Sequence, residues 1–244
     1  MPHHLDYVDS IRADGDGFAA AAAVSDPTAA VVGCPGWTVA DLVWHLRGVH
    51  YFWASIVEGL VQNPELVAEI ERPPDFQALL EDYRLGVDRL VRVLGEADQR
   101  APVWTWASQK DVAFVTRHQA QEVAVHRWDA ETAAGRDYAV DPQIAADAVD
   151  EFLQFSTASR HAAAPAVGGT VHLHATDVAG EWLAGELADG TPWFNRGHNK
   201  AEAALRASAS DLLLILYRRR PSSAGEVIGD REVLDRFIAR TDLS

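Results

Sequence analysis

The chain has 244 residues, 48% of them hydrophobic, with eight Trp and eight Phe, enough to bury the core of one large or two ordinary domains, which excludes a disordered protein. A formal net charge of −15 repels polyanions and argues against nucleic-acid binding; the only dense basic cluster is Arg218, Arg219 and Arg220. The single cysteine, Cys34, excludes an internal disulfide. It suits a cytoplasmic protein, as do the lack of a leader in "MPHHLDYVDSIRADGDG" and of any apolar run approaching roughly 18 residues.

Four long helices are expected in the first 160 residues. The first spans about Leu5 to Val24, with Leu5, Val8, Ile11 and Phe18 on one face, and "SDPTAAVVGCPGW" breaks it. Thr38 opens a Thr-Val-Ala-Asp capping box in which Asp41 reaches back to the Thr38 amide, and a second helix follows to about Leu60. A third, Phe76 to Glu96, carries Leu79, Leu80, Tyr83, Val87, Leu90, Val91 and Leu94 at helical spacing, and a fourth runs from near Asp111 to Ala134. Asp141-Pro142 then caps a further helix over about 142–160.

After "HAAAPAVGGT" the period changes. "TVHLHATD" alternates, "GEWLAGELADG" reads as a second strand ending in a turn, and "KAEAALRAS" as a weaker third. "SDLLLILYRRR" fits a short helix capped by Ser210 or Asp211, or a buried strand; "GEVIG" is a strand and "DREVLDRFIAR" an Asp-capped helix. The expected domains are therefore 1–160, all-helical, and 161–244, a smaller α+β part.

Two helices carry polar residues where apolar ones would serve packing. His45 and His50 interrupt "DLVWHLRGVHYFW", while His118, Glu122, His126 and Asp129 share a stripe of the fourth helix. Glu122 and His126, one turn apart, form either a surface hydrogen-bonded pair or two ligands of one ion. His45 is either a core histidine bonded to a carbonyl or to Asp41, or a third ligand from a facing helix. Two imidazoles and a carboxylate suit zinc and leave a fourth position open. His118, two turns and about 12 Å from His126, cannot share that ion and is placed behind it or at the surface. His50 is expected to be partly exposed or locally satisfied. Asp129 either orients a ligand imidazole, acts as a base, or pairs with Arg127 or Arg136. Cys34 looks structural, and helix rise sets it near 10 Å from the metal. His172 and His174 share a strand face and receive no role.

"CPGWTVADLVWHLRGVHYFW" and "QEVAVHRWDAE", with "HLHATDVAGEW" and "SDLLLILYRRRP…GD" downstream, resemble the mycothiol-dependent maleylpyruvate isomerase family over nearly the whole chain. The resemblance implies a DinB-like up-and-down four-helix metal-binding bundle followed by a small sterol-carrier-like α+β domain. It implies zinc ligands His45, Glu122 and His126, with Asp129 as the acidic residue beside them. It also implies a catalytic arginine from the C-terminal part, here Arg219, with Arg218 and Arg220 leaving the register open. The implied thiol is mycothiol, and a metal-activated thiolate attacking a small electrophile would serve cis–trans isomerisation or S-transfer. The same ligands would equally serve zinc-bound water in a hydrolase, or a structural ion in a non-enzymatic regulator. Partners are then a small thiol and an electrophile, with no nucleic acid and no membrane; a homodimer is compatible with the sequence.

Overall fold

The structure, a computed structural model, describes residues 6–155 and 165–240. It divides into two compact units, Met1–Tyr138 and Ala139–Ser244.

The first unit is the expected bundle: α1 (Tyr7–Ala22), α2 (Val39–Glu58), α3 (Phe76–Glu96) and α4 (Val112–Ala133). Each starts on an oxygen-bearing cap, Asp6, Thr38, Asp75 and Asp111, whose side chain accepts an orphan amide of the first turn. The Thr38 box is reciprocal: Asp41 N donates to Thr38 Oγ1 at 3.2 Å and Thr38 N to Asp41 Oδ2 at 3.0 Å. Leu5, placed on the apolar face of α1 by its spacing, lies outside the described residues. Phe18, Leu42, Leu46, Leu79, Leu80 and Tyr83 fill the centre, all at most 1% exposed.

The four helices are present as expected, but their directions do not strictly alternate. Arg47 bonds Asp82 and, further along both helices, Glu58 bonds Arg89 and Arg92, so α2 and α3 run parallel. His45 meets Glu122 and Trp53 meets His118, so α2 and α4 are antiparallel. Gly15 lies against Val87 and Gly95 against Val8, so α1 and α3 are antiparallel as well. The parallel pair requires a connection that returns the length of a helix, about 30 Å for 20 residues. The segment 59–75 is long enough to do so.

The second unit takes α5 (Pro142–Phe155), which periodicity alone groups with the preceding helices. Its apolar face, with Ile144, Val149, Phe152 and Leu153 buried, packs on α6 (Ala209–Leu216). The division therefore falls at 138/139, earlier than the expected 160; residues 156–160 of the expected helix lie outside the described residues. The sheet has the order β3-β2-β1-β4-β5, comprising β1 (Val171–Ala175), β2 (Glu181–Glu186), β3 (Pro192–Arg196), β4 (Ala203–Ala207) and β5 (Glu226–Gly229). β1 pairs parallel with β4; the other pairings are antiparallel. The ambiguous "SDLLLIL" is helical, but its cap is Ser208, which accepts from Asp211 N, rather than Ser210 or Asp211, which lie inside the first turn. Asp230 caps α7 (Arg231–Ala239) as expected. Strand β3 was not legible: it is a short edge strand that begins on a proline, tolerated there because no ladder donor is missed.

Candidate metal centre

Antiparallel packing of α2 on α4 brings His45 over the Glu122/His126 turn. His45 Nε2 lies 3.0 Å from Glu122 Oε1, and His126 Nε2 lies 3.4 Å from the same oxygen. The two imidazole rings meet edge to face, centroids 5.0 Å apart. One donor atom from each of the three residues lies within 4.8 Å of the other two. Behind the cluster, His126 Nδ1 is 2.9 Å from Oδ2 of Asp129, which is 1% exposed. That contact gives the Nδ1 proton an acceptor and leaves Nε2 facing Glu122 and His45. Arg127 instead bonds Asp14, and Arg136 bonds Glu131, so neither pairing considered for Asp129 accounts for it.

The electrostatics follow from the packing. Burial pushes the Glu122 carboxyl up, but the charge of His126 and hydrogen bonds from both histidines outweigh it and hold the group well below its ordinary range. Burial pulls the His126 imidazole down, yet the Glu122 charge and bonds to Asp129, Cys34 and Glu122 raise it well above its ordinary range. A proton held there occupies the electrostatic place a cation would take.

Cys34 is not where helix rise sets it. Its Sγ is 3.5 Å from Asp129 Oδ2, and within 4.8 Å of a His126 ring nitrogen. The rise counts distance only along α2, whereas the preceding loop doubles back: Ala30 bridges Thr38, and Gly36 turns the chain at φ +88. The loop also brings Trp37 against His45, centroids 4.8 Å apart, a contact sequence spacing did not show. His50 differs from expectation too: it is fully buried against Tyr83, and neither ring nitrogen has a hydrogen-bond partner among the described residues. His118 stacks on Phe114 and meets Trp53 and Trp106, away from the three donors. On the α2 side a groove of about 490 Å³ is lined by Trp37, Asp41, Trp44, His45, Gly48, Val49, Phe52 and Trp53. It gives the cluster an aromatic approach with neither Lys nor Arg in its lining.

A family model described as the mycothiol maleylpyruvate isomerase N-terminal domain matches residues 8–131, and the MDMPI C-terminal domain matches 143–236. The chain belongs to the mycothiol maleylpyruvate isomerase family. Two crystal structures of the mycothiol-dependent maleylpyruvate isomerase, one of them of a mutant, are similar in fold, with TM-scores of 0.62 and 0.61. Each is 13% identical, over 91% of this chain and 91% of that chain. No match was found among curated proteins.

In this member of the mycothiol maleylpyruvate isomerase family the donor set fits a divalent ion. Bonds of about 2.0–2.1 Å to a tetrahedral ion put its ligand atoms about 3.3 Å apart. The His45–Glu122 and His126–Glu122 separations, 3.0 and 3.4 Å, bracket that value. Arg219 belongs to the second unit, at the C-terminal end of α6. Its guanidinium lies 5.5 Å from the Tyr217 ring centroid and donates to Tyr217 O at 3.2 Å. With Arg218 and Arg220 it lines a hollow of about 580 Å³. Arg218, held at φ +57, donates to Ile238 O and Ala239 O, and Arg220 pairs with Asp211.

Proposed function

We propose that this protein is a mycothiol-dependent isomerase or S-transferase of small electrophiles, using a zinc-like ion held by His45, Glu122 and His126. The observation that carries the reading is the convergence of these three donors with Asp129 braced behind His126. The thiol is inferred from the family and from the mycothiol dependence of the isomerase whose structures are similar.

Such an ion, when bound, lowers the pKa of a thiol ligand so that it is held as thiolate at neutral pH. The chain supplies the rest. Two neutral imidazoles and one carboxylate leave net charge +1, which favours an anionic fourth ligand. Asp129 fixes the His126 tautomer, and so acts as a positioning residue rather than as the proton-handling base. The aromatic groove offers an apolar wall for the apolar part of thiol and substrate. Arg219 is assigned to a substrate carboxylate, which a guanidinium grips bidentately.

On the substrate, the thiolate adds to one carbon of an electron-poor double bond, and the electron pair moves to the conjugated carbonyl. Rotation about the resulting single bond, then return of the pair and loss of the thiolate, gives the other geometric isomer. Protonation at carbon, or loss of a halide, gives the S-conjugate instead.

Mycothiol added to cobalt-substituted protein should produce sulfur-to-metal charge-transfer absorption, in wild type and in Cys34→Ser alike. Turnover of a maleyl-type or halide electrophile should require the thiol. Full-rate hydrolysis without thiol would establish the water-activating reading instead; a metal spectrum unmoved by thiol or substrate would leave a binding protein.

A further inference from the structure

The second unit holds another converging set of ligand-type side chains. Val171, Leu173 and Ala175 of β1 are buried, and the two-residue period turns His172 and His174 to the opposite face of the sheet. Glu181 of β2 stands directly across from His174. Past β3, Gly197 at φ +122 donates its amide to Glu181 O at 2.9 Å, and His198 follows. His198 Nδ1 and His172 Nε2 lie 2.7 and 3.2 Å from Glu181 Oε2, and His174 Nδ1 lies 3.3 Å from Oε1. The His172 ring stands edge to face with both other imidazoles, at 79° and 87°.

We propose that His172, His174, Glu181 and His198 form a second divalent-metal site, a closed three-imidazole, one-carboxylate site for zinc. One donor atom from each residue lies within 4.8 Å of every other. Two of the imidazole-to-carboxylate separations, 3.2 Å from His172 to Oε2 and 3.3 Å from His174 to Oε1, match the edge of about 3.3 Å that a tetrahedral zinc ion requires, and the third, from His198 to Oε2, is shorter at 2.7 Å. Binding one ion requires the Glu181 carboxylate and the three imidazoles to turn so that one atom of each faces a common centre. Arg206, opposite His174 on β4, is a cation on this face, and Glu226 draws it off at 2.7 Å. A histidine–carboxylate pair needs two residues; here two imidazoles from β1 and one from the turn after β3 meet the one carboxylate of β2.

Imidazole-rich sites favour the later first-row divalent ions, and a tetrahedral N3O set among these is a zinc geometry. With all four positions supplied by protein, no place remains for water or thiol. The ion is therefore structural: it ties the turn after edge strand β3 to β1 and β2. Nothing in this assignment rests on the proposed thiol chemistry.

The test is a titration of metal-free full-length protein with zinc against a chromophoric chelator. Wild type should take up two ions per chain, His45→Ala/His126→Ala one, and His174→Asn/Glu181→Gln one. Loss of the only bound ion in His45→Ala/His126→Ala, or two ions retained in His174→Asn/Glu181→Gln, would overturn the second site. One ion in wild type that survives His45→Ala/His126→Ala and is lost in His174→Asn/Glu181→Gln would support it while removing the first. Should His174→Asn/Glu181→Gln not fold by circular dichroism, diethyl pyrocarbonate labelling of wild type decides. Zinc should protect the peptides bearing His172, His174 and His198; equal labelling with and without zinc would refute the site.

Discussion

Asp129 and His50 are both buried polar residues of the bundle, and they answer to different physics. The Asp129 carboxylate meets His126 Nδ1 at 2.9 Å, so its effect on a metal passes through the imidazole. Asp129→Asn should weaken zinc binding about 10–100-fold with the fold intact, read by competition with a chelator. An unchanged affinity would make Asp129 a packing residue only. Burial, by contrast, depresses the His50 imidazole to about 3, the Glu122 charge opposing it only in part. An unfolded chain carries this group near its ordinary 6.5, so between those values the unfolded state binds the extra proton. Stability present above pH 6.5 is therefore lost as pH falls toward about 3, by up to about 1.4 kcal/mol per pH unit. Denaturant melts at pH 7 and pH 5 should show a smaller difference in His50→Leu than in wild type. An equal difference would mean that His50 is protonated in the fold.

At the scale of elements, the approach of α1 to α3 is set by Gly15, where an added Cβ would lie 2.9 Å from Val87 Cγ1, itself 1% exposed. Gly15→Ala gains about 1 kcal/mol of helix propensity and loses about 1–3 kcal/mol to overpacking, so its melting temperature should fall. A rise would show that Val87 gives way. Thr38→Ala removes the side-chain half of the α2 capping box, the acceptor for Asp41 N, and should cost about 0.5–2 kcal/mol in chemical unfolding. These helix starts were legible in the sequence because a cap is local chemistry, written within four residues. So was the Glu122/His126 stripe, which one helical turn determines, and His45 could be named as its partner. The nearness of Cys34 and Trp37 was not legible, because it depends on how a loop folds back. Neither was the parallel run of α2 and α3: nothing local in segment 59–75 states where its far end docks. His50 misled because a buried, unpartnered imidazole breaks the rule by which exposure is inferred from polarity.

For the whole molecule, the division at 138/139 makes a choice between two fragments. Residues 1–138 contain every donor of the first centre and keep the bond from Tyr138 Oη to Asp14 Oδ1, 2.7 Å. That fragment should stay helical by circular dichroism and take up one zinc ion. A fragment ending at 160 would carry α5 without α6, leaving Ile144, Val149, Phe152 and Leu153 uncovered, and should aggregate by light scattering. If the longer fragment is the better behaved, α5 belongs with the bundle after all.

His45 and Glu122 stand 77 positions apart in the chain, and one contact joins them. An ion held between them is a cross-link that can be withdrawn, closing a loop as a disulfide would but set by the free metal concentration. An apo chain must find that long-range contact through packing alone; a loaded chain is held to it. Each tenfold rise in free ion above the dissociation constant then adds about 1.4 kcal/mol to the folded state. The bundle becomes a reporter of how much metal its surroundings can spare.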